Sequence, residues 1–431
     1  MRVKMSEAHL EQFMKRVAER EALQAKIGTA SSTAIRYYNL DALRGFAMLL
    51  GIGLHAAIPF VPYSEPDDSG SGLLILFFLF VHGFRMPLFF LLSGFFTTML
   101  WRRRGLRFLI DHRLKRIGLP LLISVFTILP AVIIGLVGGL VLSGVDLDNI
   151  DPAKAAAGYS EQLEVDSTLG AEPQNAEVPV AEPEPFEFAH MWFLWFLLWM
   201  VAGFAAVVTV VRWLVRKAGH KRSIPTSFLT SVFWSLPVVT LIPQLMMVER
   251  SFGPDTSAGL VPAVHVLAYY ACFFSFGALA YDRNNRHGLA LIESLGRRWM
   301  LLLTLSTVLL FGPGLALIET SWVTASAIQV TFAWTMSFGL IGLFRRFMSA
   351  ERFWVRYLSD ASYWMYLAHL PLVFVAQGLI ARWDIPAIPK FFVISASVTA
   401  ILLVTYQYLV RYRATGRLLN GKRIREAETP V

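Results

Sequence analysis

The chain has 431 residues, of which 55% are hydrophobic and only 16% are charged, and its formal net charge is +9. Apolar runs of 18 or more residues recur along almost its whole length, which excludes an ordinary soluble domain and indicates a polytopic membrane protein. The basic excess fits membrane topology and anionic headgroups, so we expect no nucleic-acid partner. The one cysteine, Cys272, excludes an intramolecular disulfide and a cysteine-rich metal site.

The first 36 residues precede the apolar runs. They are charged and lack the apolar core of a cleavable signal peptide. Leu10, Phe13, Met14 and Val17 recur at helical spacing, which predicts an amphipathic helix on the cytoplasmic membrane surface. A solvated helical tail explains the same spacing equally well.

Ten apolar runs predict an all-α polytopic domain over residues 37–412, followed by a basic cytoplasmic tail, 413–431. The runs cover residues 40–60, 73–100, 117–143, 190–212, 227–248, 260–281, 299–318, 324–344, 357–380 and 387–411. Lysine and arginine cluster before the first run, in alternate connections and after the last run. The positive-inside rule therefore places both termini in the cytoplasm, in agreement with an even number of spans.

The longest connection, residues 144–188, is acidic and rich in proline. Between residues 144 and 187, eleven acids stand against Lys154 alone. On the topology above this segment faces outward, and its composition predicts a poorly ordered linker rather than a second domain. The stretch GLVGGLVLSG that leads into it offers small residues for close helix packing.

The first run carries ionisable groups, which are costly inside a membrane. At 100° per residue, Arg44 and His55 lie about 20° apart on a helix, and Asp41 lies about 40° from His55. Gly51 falls on the same stripe and leaves a gap between the guanidinium and the imidazole. We interpret the stripe as functional. The alternative is an ion pair of Asp41 and Arg44 at the interface, with His55 as a hydrogen-bonded packing residue.

The second run repeats this pattern in the stretch VHGFRMPLFFLLSGFF. His82, Phe89 and Ser93 share one helix face, and Arg85 lies about 60° away. Because Arg85 falls within the hydrocarbon, it needs an acid, an anionic ligand or a wet cavity.

A pair of arginines precedes the third run in RRRGLRFLIDHRLKRIGLP. Arg113 and Arg116 are one turn apart and should project together into the headgroup layer. Two guanidinium groups in that place suit phosphate recognition, for which a lipid headgroup and a nucleotide are equally good ligands.

Three further histidines fall in or near apolar runs. His190 begins HMWFLWFLLW with Trp192 at the outer interface, His369 lies within YWMYLAHLPL, and His265 lies in the outer half of the sixth run. For each of them alone, a hydrogen-bonded core histidine is the simpler interpretation. Neither HExxH nor a comparable ligand spacing occurs, so we expect no metal.

Five sequence elements in this order resemble the membrane-bound acyltransferase-3 family, from about Tyr38 to Arg411. They are LDALRGFAMLLGIGLH with ten residues between Arg44 and His55, then FRMPLFFLLSGFF, Arg113-x-x-Arg116, HMWFLWFLL and SDASYWMYLAHLPL. The second and fourth elements look most like the branch that succinylates osmoregulated periplasmic glucans.

The resemblance implies a transmembrane O-acyltransferase of the bacterial cytoplasmic (inner) membrane. Such an enzyme moves an acyl group, here succinyl or acetyl, from cytoplasmic acyl-CoA to a hydroxyl of an extracytoplasmic glycan, without a metal. His55 would act as base or transient acyl carrier, with Asp41 and Arg44 nearer the cytoplasm.

The resemblance also assigns expected binding roles. Arg44, Arg113 and Arg116 would hold CoA, with its pantetheine arm passing Gly51 towards the imidazole. Residues expected near the acyl group and the acceptor are Arg85, Ser93, His82, His190, Trp192 and His369, of which Arg85 and Ser93 would stabilise the oxyanion or orient the acyl carbonyl.

Two other functions are alternatives to acyl transfer. A transporter or flippase for a carbohydrate or a lipid-linked sugar also needs intramembrane charges, but the sequence lacks internal symmetry and paired interrupted helices. A purely structural partner would not need Arg44 and His55 on one stripe. The expected partners are acyl-CoA, a carbohydrate acceptor on the outer side and membrane lipids; the oligomeric state is open, and a homodimer is compatible with the sequence.

Overall fold

The computed structural model describes residues 37–58, 69–145, 186–217, 226–282 and 291–420. Within these ranges ten helical segments are long and apolar enough to cross a membrane, which confirms the predicted all-α fold with ten spans. They are Tyr38–Ala57, Ser71–Arg104, Leu106–Ser143, Ala189–Lys217, Ser227–Leu245, Val264–Tyr281, Gly296–Ala316, Trp322–Met348, Phe353–Ile380 and Ala387–Val410. The amphipathic helix predicted within residues 1–36 and nearly all of the acidic segment lie outside the described residues, and so does the tail from residue 421. The side of the membrane on which each terminus lies stays a prediction.

The described chain contains fifteen α-helices, of which thirteen lie in the spans. These are α1 Tyr38–Ala57, α2 Ser69–Arg104, α3 Leu106–Arg113, α4 Leu119–Ser143, α5 Trp192–Lys217, α6 Thr226–Val239, α7 Leu241–Leu245, α8 Val264–Asp282, α9 Leu291–Leu295, α10 Trp299–Thr304, α11 Phe311–Ala316, α12 Trp322–Met348, α13 Phe353–Ile380, α14 Ala387–Thr405 and α15 Ala414–Asn420. Several spans are completed by short π-helical or 3₁₀ segments, at Leu114–Gly118, Ala189–Met191, Gly296–Arg298, Leu305–Leu310 and Tyr406–Val410. Strands are absent from the described ranges, where β-pairing is limited to an isolated bridge between Glu187 and Gly259.

The most apolar span is among the least buried, and the first span is among the least apolar and the most buried. The span Leu106–Ser143 has a mean hydropathy of 2.6 and only 17% of its most apolar window is buried, whereas Tyr38–Ala57 has 1.3 and 67%. Lipid can cover apolar side chains, but polar ones must find protein partners or water inside the bundle. The helix that carries Arg44 and His55 is therefore among the most enclosed.

Two helix pairs pack with their backbones in contact through glycine. A Cβ at Gly94 of α2 would overlap the carbonyl oxygen of Phe274 on α8. A Cβ at Gly139 of α4 would lie 2.5 Å from the carbonyl oxygen of Phe374 on α13. The close packing predicted for GLVGGLVLSG is thereby confirmed, and it fixes α13, the helix of His369, against α4.

A sharp turn separates α2 from α3. Gly105 has φ +82°, a conformation that side-chain-bearing residues rarely adopt, and its amide bonds to the carbonyl oxygen of Trp101 at 2.8 Å. The turn folds α3 back so that Arg113 reaches Thr97 of α2.

Candidate active site

A cavity of about 60 Å³ lies among α1, α2, α13 and the segment that begins α5. Since one water needs roughly 10–15 Å³ by this measure, the cavity has room for only a few water-sized groups. Its lining consists of Met48, Gly51, Leu54, His55, Phe78, His82, Arg85, Met86, Phe89, His190, Trp192, Phe193, Thr256, Tyr366 and His369. Seven of the twelve residues predicted from the sequence thus meet here, although they come from four separate segments of the chain.

Three histidines form a row along one wall of the cavity. His55, His190 and His369 are 6%, 5% and 4% exposed. The ring centroid of His369 lies 5.1 Å from that of His55 and 5.0 Å from that of His190, so His369 is the middle member. Each of these histidines belongs to a different apolar run of the sequence. Their proximity therefore follows only from the tertiary fold.

Backbone carbonyl groups hold two of these rings in place. Nδ1 of His369 lies 2.8 Å from the carbonyl oxygen of Tyr366, one turn earlier on α13. Nε2 of His190 lies 3.1 Å from the carbonyl oxygen of Leu367. The Tyr366 hydroxyl donates in turn to the carbonyl oxygen of His190 at 2.8 Å, which ties the start of α5 to α13.

Other nitrogen atoms of the row have no partner. Nδ1 of His55, Nδ1 of His190 and Nε2 of His369 are buried without a hydrogen bond. Buried polar groups in folded proteins are nearly always hydrogen-bonded, and exceptions are frequent at sites that bind or react. The interpretation of His55 as a hydrogen-bonded packing residue therefore does not hold for its side chain.

Arg85 lies on α2 and faces the side of α1 that carries Gly51 and His55. A Cβ at Gly51 would overlap Nη1 of Arg85, so the guanidinium fills the gap that the glycine leaves. Nε of Arg85 is buried without a partner, and within the described ranges no carboxylate forms an ion pair with it. The passage of a pantetheine arm over Gly51 stays a prediction, and in this structure it would require Arg85 to move.

A loop between α7 and α8 covers the cavity beside His82. Nε2 of His82 lies 3.0 Å from the carbonyl oxygen of Pro254. Gly253 has φ +133° and packs so closely on the His82 ring that a Cβ would overlap it. Its amide donates to Oε1 of Gln329 on α12 at 2.9 Å, which anchors the loop on the bundle.

A second anchor of this loop is Asp255. Its carboxylate accepts the backbone amides of Val248 and Glu249 at 2.7 and 3.3 Å, and lies 3.2 Å from Nε2 of His265. Burial raises the pKa of the Asp255 carboxyl above its usual range, although these hydrogen bonds oppose the shift. The anchor holds Thr256 at the cavity wall.

The three arginines predicted to bind the donor lie outside the cavity, and we call Arg44, Arg113 and Arg116 the basic cluster. Arg44 pairs with Asp41 at 3.7 Å, as the alternative interpretation of the first run envisaged. Nη2 of Arg113 donates to Thr97 at 2.9 Å, while its Nε is buried without a partner. Arg44 and Arg113 are close enough to repel each other electrostatically.

Arg116 and Arg113 have different hydrogen-bond partners. The helix changes to π-type at Leu114, immediately after Arg113, which alters the angle between successive side chains. Arg116 donates to the carbonyl oxygen of Leu418 at 3.1 Å, on α15. The expectation that both guanidinium groups project together into the headgroup layer stays a prediction.

Ser93 is half-buried on α2 and is absent from the cavity wall. Helical periodicity placed it on the face of His82 and Phe89, but it lies eight residues beyond Arg85, about 12 Å along the axis. The residues that the sequence did not single out include Tyr366 and Thr256. For Tyr366, the sequence signal is its position three residues before His369, which places both side chains on one face of a helix.

The described ranges contain no group of three or more histidine, cysteine or acidic side chains arranged to hold a metal ion. The cavity lining itself offers imidazole and guanidinium groups in a small buried space.

Comparison with known proteins gives a family and a partial relationship. The acyltransferase-domain model of the acyltransferase-3 family matches residues 37–407. Proteins named glucans biosynthesis protein C, from Salmonella typhi, Salmonella typhimurium and Salmonella paratyphi B, are 39% identical over 98 residues. That alignment covers 22% of this chain and 26% of each relative, so the chain spans about a quarter of the length of the curated relatives that it matches. No solved structure matches the chain.

Proposed function

Because this chain belongs to the acyltransferase-3 family, we propose that it moves an acyl group from acyl-CoA to a glycan hydroxyl on the other side of the membrane. The observation that carries the proposal is the cavity that joins His55, with a buried unpartnered nitrogen, to Arg85, which has no acid partner in the described chain. An imidazole can take a proton from a hydroxyl near neutral pH, and a guanidinium can bind an anionic group.

His55 is the base in this proposal. The proton of the acceptor hydroxyl passes to a ring nitrogen of His55 while the hydroxyl oxygen attacks the thioester carbonyl. The carbon–sulfur bond then breaks, the ester forms, and the proton passes from His55 to the departing thiolate. Direct attack of His55 on the thioester, with a transient acyl-imidazole, would use the same placement.

Arg85 favours succinyl over acetyl as the acyl group. Its Nη1 lies at Gly51, one turn before His55 on α1, or about 6 Å along the axis. A four-carbon dicarboxylic acyl chain is of that length, so its carbonyl would lie at His55 while its free carboxylate meets the guanidinium. An acetyl group would leave Arg85 without an anion in a buried site, which is unfavourable.

The basic cluster supports a donor that enters from that end. Arg44 lies eleven residues before His55, about 16 Å along α1. The slender pantetheine arm of CoA would extend over this distance. Arg113 has an unpartnered Nε beside Arg44. The phosphates of CoA would lie between these two guanidinium groups, and the positive-inside rule assigns this end to the cytoplasm.

The covering loop and the aromatic side chains support an acceptor from the opposite end. His82, Trp192 and Thr256 line the cavity there, and aromatic faces suit sugar rings. The relatives are named for glucan biosynthesis, and on that basis we propose an osmoregulated periplasmic glucan as acceptor. The protein would then lie in the bacterial inner membrane.

Purified protein in nanodiscs tests the proposal, with radiolabelled succinyl-CoA or acetyl-CoA and a glucan oligosaccharide. We expect the wild type to transfer succinyl to the oligosaccharide and His55→Ala to lower kcat at least about 100-fold. We expect Arg85→Gln to lower succinyl transfer about 10- to 100-fold, the value of one charge-assisted contact, and acetyl transfer much less. Thermal unfolding checks that both variants are folded.

Three results would contradict parts of this scheme. Full transfer by a folded His55→Ala variant would exclude His55 as base or acyl carrier. Equal loss of succinyl and acetyl transfer in Arg85→Gln would place Arg85 at the thioester carbonyl instead of the free carboxylate. Translocation of the oligosaccharide without any acyl transfer would show a transporter.

A further inference from the structure

The backbone determines which nitrogen of two cavity histidines carries a proton. A carbonyl oxygen only accepts hydrogen bonds, so Nδ1 of His369, at 2.8 Å from the Tyr366 carbonyl oxygen, is the protonated nitrogen. By the same argument Nε2 of His190, at 3.1 Å from the Leu367 carbonyl oxygen, is protonated. In their neutral forms, Nε2 of His369 and Nδ1 of His190 are therefore acceptors.

Nε2 of His369 is an acceptor with no donor. It is buried and unpartnered, and its ring is the middle one of the row. His190 cannot supply the donor while both rings are neutral, since its only N–H is committed to the Leu367 carbonyl oxygen. His55 is the one member of the row whose ring N–H is not committed to another group of the described chain.

The other polar groups of the cavity do not change this assignment. From α2 come His82, bound at Pro254, and Arg85, whose Nη1 lies against Gly51 about one turn from His55. Tyr366 donates its hydroxyl to the His190 carbonyl oxygen. The wall described here contains no carboxylate, so the usual acidic partner of a catalytic histidine is missing from it.

We propose that His369 is the positioning residue for His55: Nε2 of His369 accepts the Nδ1–H of His55 and so leaves Nε2 of His55 unprotonated for the acceptor hydroxyl. This proposal rests on the proposed acyl transfer. Both nitrogens are unpartnered here at a ring separation of 5.1 Å, and such hydrogen bonds commonly tighten only when substrate is bound. When His55 takes the hydroxyl proton, the positive charge of its ring is shared with His369 through this bond, until the proton passes to the thiolate of CoA.

A neutral partner suits this location. A carboxylate in the same place would add a formal negative charge within the membrane domain beside the anionic acyl group that Arg85 binds. An imidazole held by a backbone carbonyl fixes the tautomer of His55 without adding a charge. His369 owes this fixed orientation to the turn of α13 that precedes it.

Kinetics of two variants at one position test the proposal. His369→Leu removes the acceptor, whereas His369→Gln retains a side-chain carbonyl that can accept the Nδ1–H of His55. With succinyl-CoA and oligosaccharide, we expect His369→Leu to lower kcat about 100-fold and to leave the KM for succinyl-CoA within about threefold, because the CoA contacts lie at the basic cluster. We expect His369→Gln to recover kcat to within about tenfold of the wild type. Equal losses in the two variants, or a kcat of His369→Leu within about threefold of the wild type, would overturn the proposal.

A second measurement needs neither a folded Leu variant nor turnover. Nitrogen NMR of wild-type protein with ¹⁵N-labelled histidine, assigned with His55→Gln and His369→Gln, reads the tautomer of each ring. We expect protons on Nδ1 of His55, on Nδ1 of His369 and on Nε2 of His190; a proton on Nε2 of His55 would overturn the proposal. Absence of acyl transfer by the wild type would instead overturn the proposed function, and the role of His369 with it.

Discussion

The ionisable groups near the two ends of α1 differ in their exposure and in their partners. In the first two turns Arg44 and Asp41 pair at 3.7 Å, and the Arg44 side chain remains 39% exposed. Towards the other end His55 is 6% exposed and its Nδ1 has no partner, and the neighbouring Arg85 also has an unpartnered nitrogen. One end resembles an ordinary interfacial ion pair, and the other is a buried site that its own side chains leave incomplete.

In the proposed function, this difference would place donor binding at one end of α1 and the reaction at the other. An exposed, paired arginine at an interface costs little and can exchange its partner for a phosphate. Buried imidazole and guanidinium nitrogens without hydrogen-bond partners are unfavourable unless a ligand supplies those partners. We therefore expect changes in the basic cluster to alter donor affinity, and changes in the cavity to alter turnover and acyl selection.

Among the tests of this comparison between the two ends of α1, the largest expected effect concerns Arg113. Arg113→Gln removes a charged donor whose Nε is buried without a partner beside Arg44. We expect the KM for acyl-CoA to rise about 10- to 100-fold, the value of one charge-assisted hydrogen bond, with kcat changed less than about threefold. Arg103→Gln is the matched control, since it removes the same charge from an exposed position at the end of α2. If Arg113→Gln lowers kcat alone, the basic cluster does not act through donor affinity. If Arg103→Gln raises the KM as much as Arg113→Gln does, the effect is not specific to the basic cluster.

A smaller effect is expected from one methyl group in the cavity. Gly51→Ala would place a Cβ on Nη1 of Arg85, the mobile end of a long side chain, so the guanidinium moves while the helices stay packed. We expect succinyl transfer to fall about tenfold relative to acetyl transfer, as for a weakened contact with a charged group. The measurement is the ratio of kcat/KM for the two donors.

Gly53→Ala is the control for this change. It lies on the same helix, and its Cβ would meet only the edges of Phe77 and Phe391 at 3.3 and 3.5 Å. The donor ratio of this variant should match the wild type. If Gly51→Ala also leaves the ratio unchanged, Arg85 does not select the acyl group from its position at Gly51.

The sequence predicted the fold well because lipid imposes a simple rule. Every span needs a long apolar helix, and all ten could be found from runs of apolar residues. The stripe of Arg44, Gly51 and His55 was visible for a similar reason, since all three belong to one helix. Local periodicity is sufficient where one helix contains the whole pattern.

The rest of the site depends on distances that periodicity does not give. Ser93 shares a helix face with His82 and yet lies outside the cavity. Helical periodicity gives the angle of a side chain around the helix axis, but it does not give the depth at which the cavity lies along that axis. The contacts of His369 with His55 and His190 join segments far apart in the chain. The helix changes to π-type at Leu114, immediately after Arg113, and this change has no signature in apolar spacing. Asp255 lies in a connection between spans, where no periodic pattern points to it.

The smallest expected effect concerns that loop and its dependence on pH. Because burial raises the pKa of Asp255 in the folded protein, the folded state binds this proton more tightly than the unfolded chain does. The contribution of Asp255 to stability is therefore greatest below about pH 4, the unfolded pKa, and declines as pH rises through the folded pKa. Thermal unfolding of the wild type and of Asp255→Asn between pH 4 and 8 measures this difference. We expect the Tm of the wild type to fall relative to that of Asp255→Asn as pH rises, whereas Asp384→Asn, at an exposed acid of another connection, should follow the wild type. A constant Tm difference would mean that Asp255 anchors the loop equally in both charge states, and the cavity would then have no pH-sensitive cover beside His82.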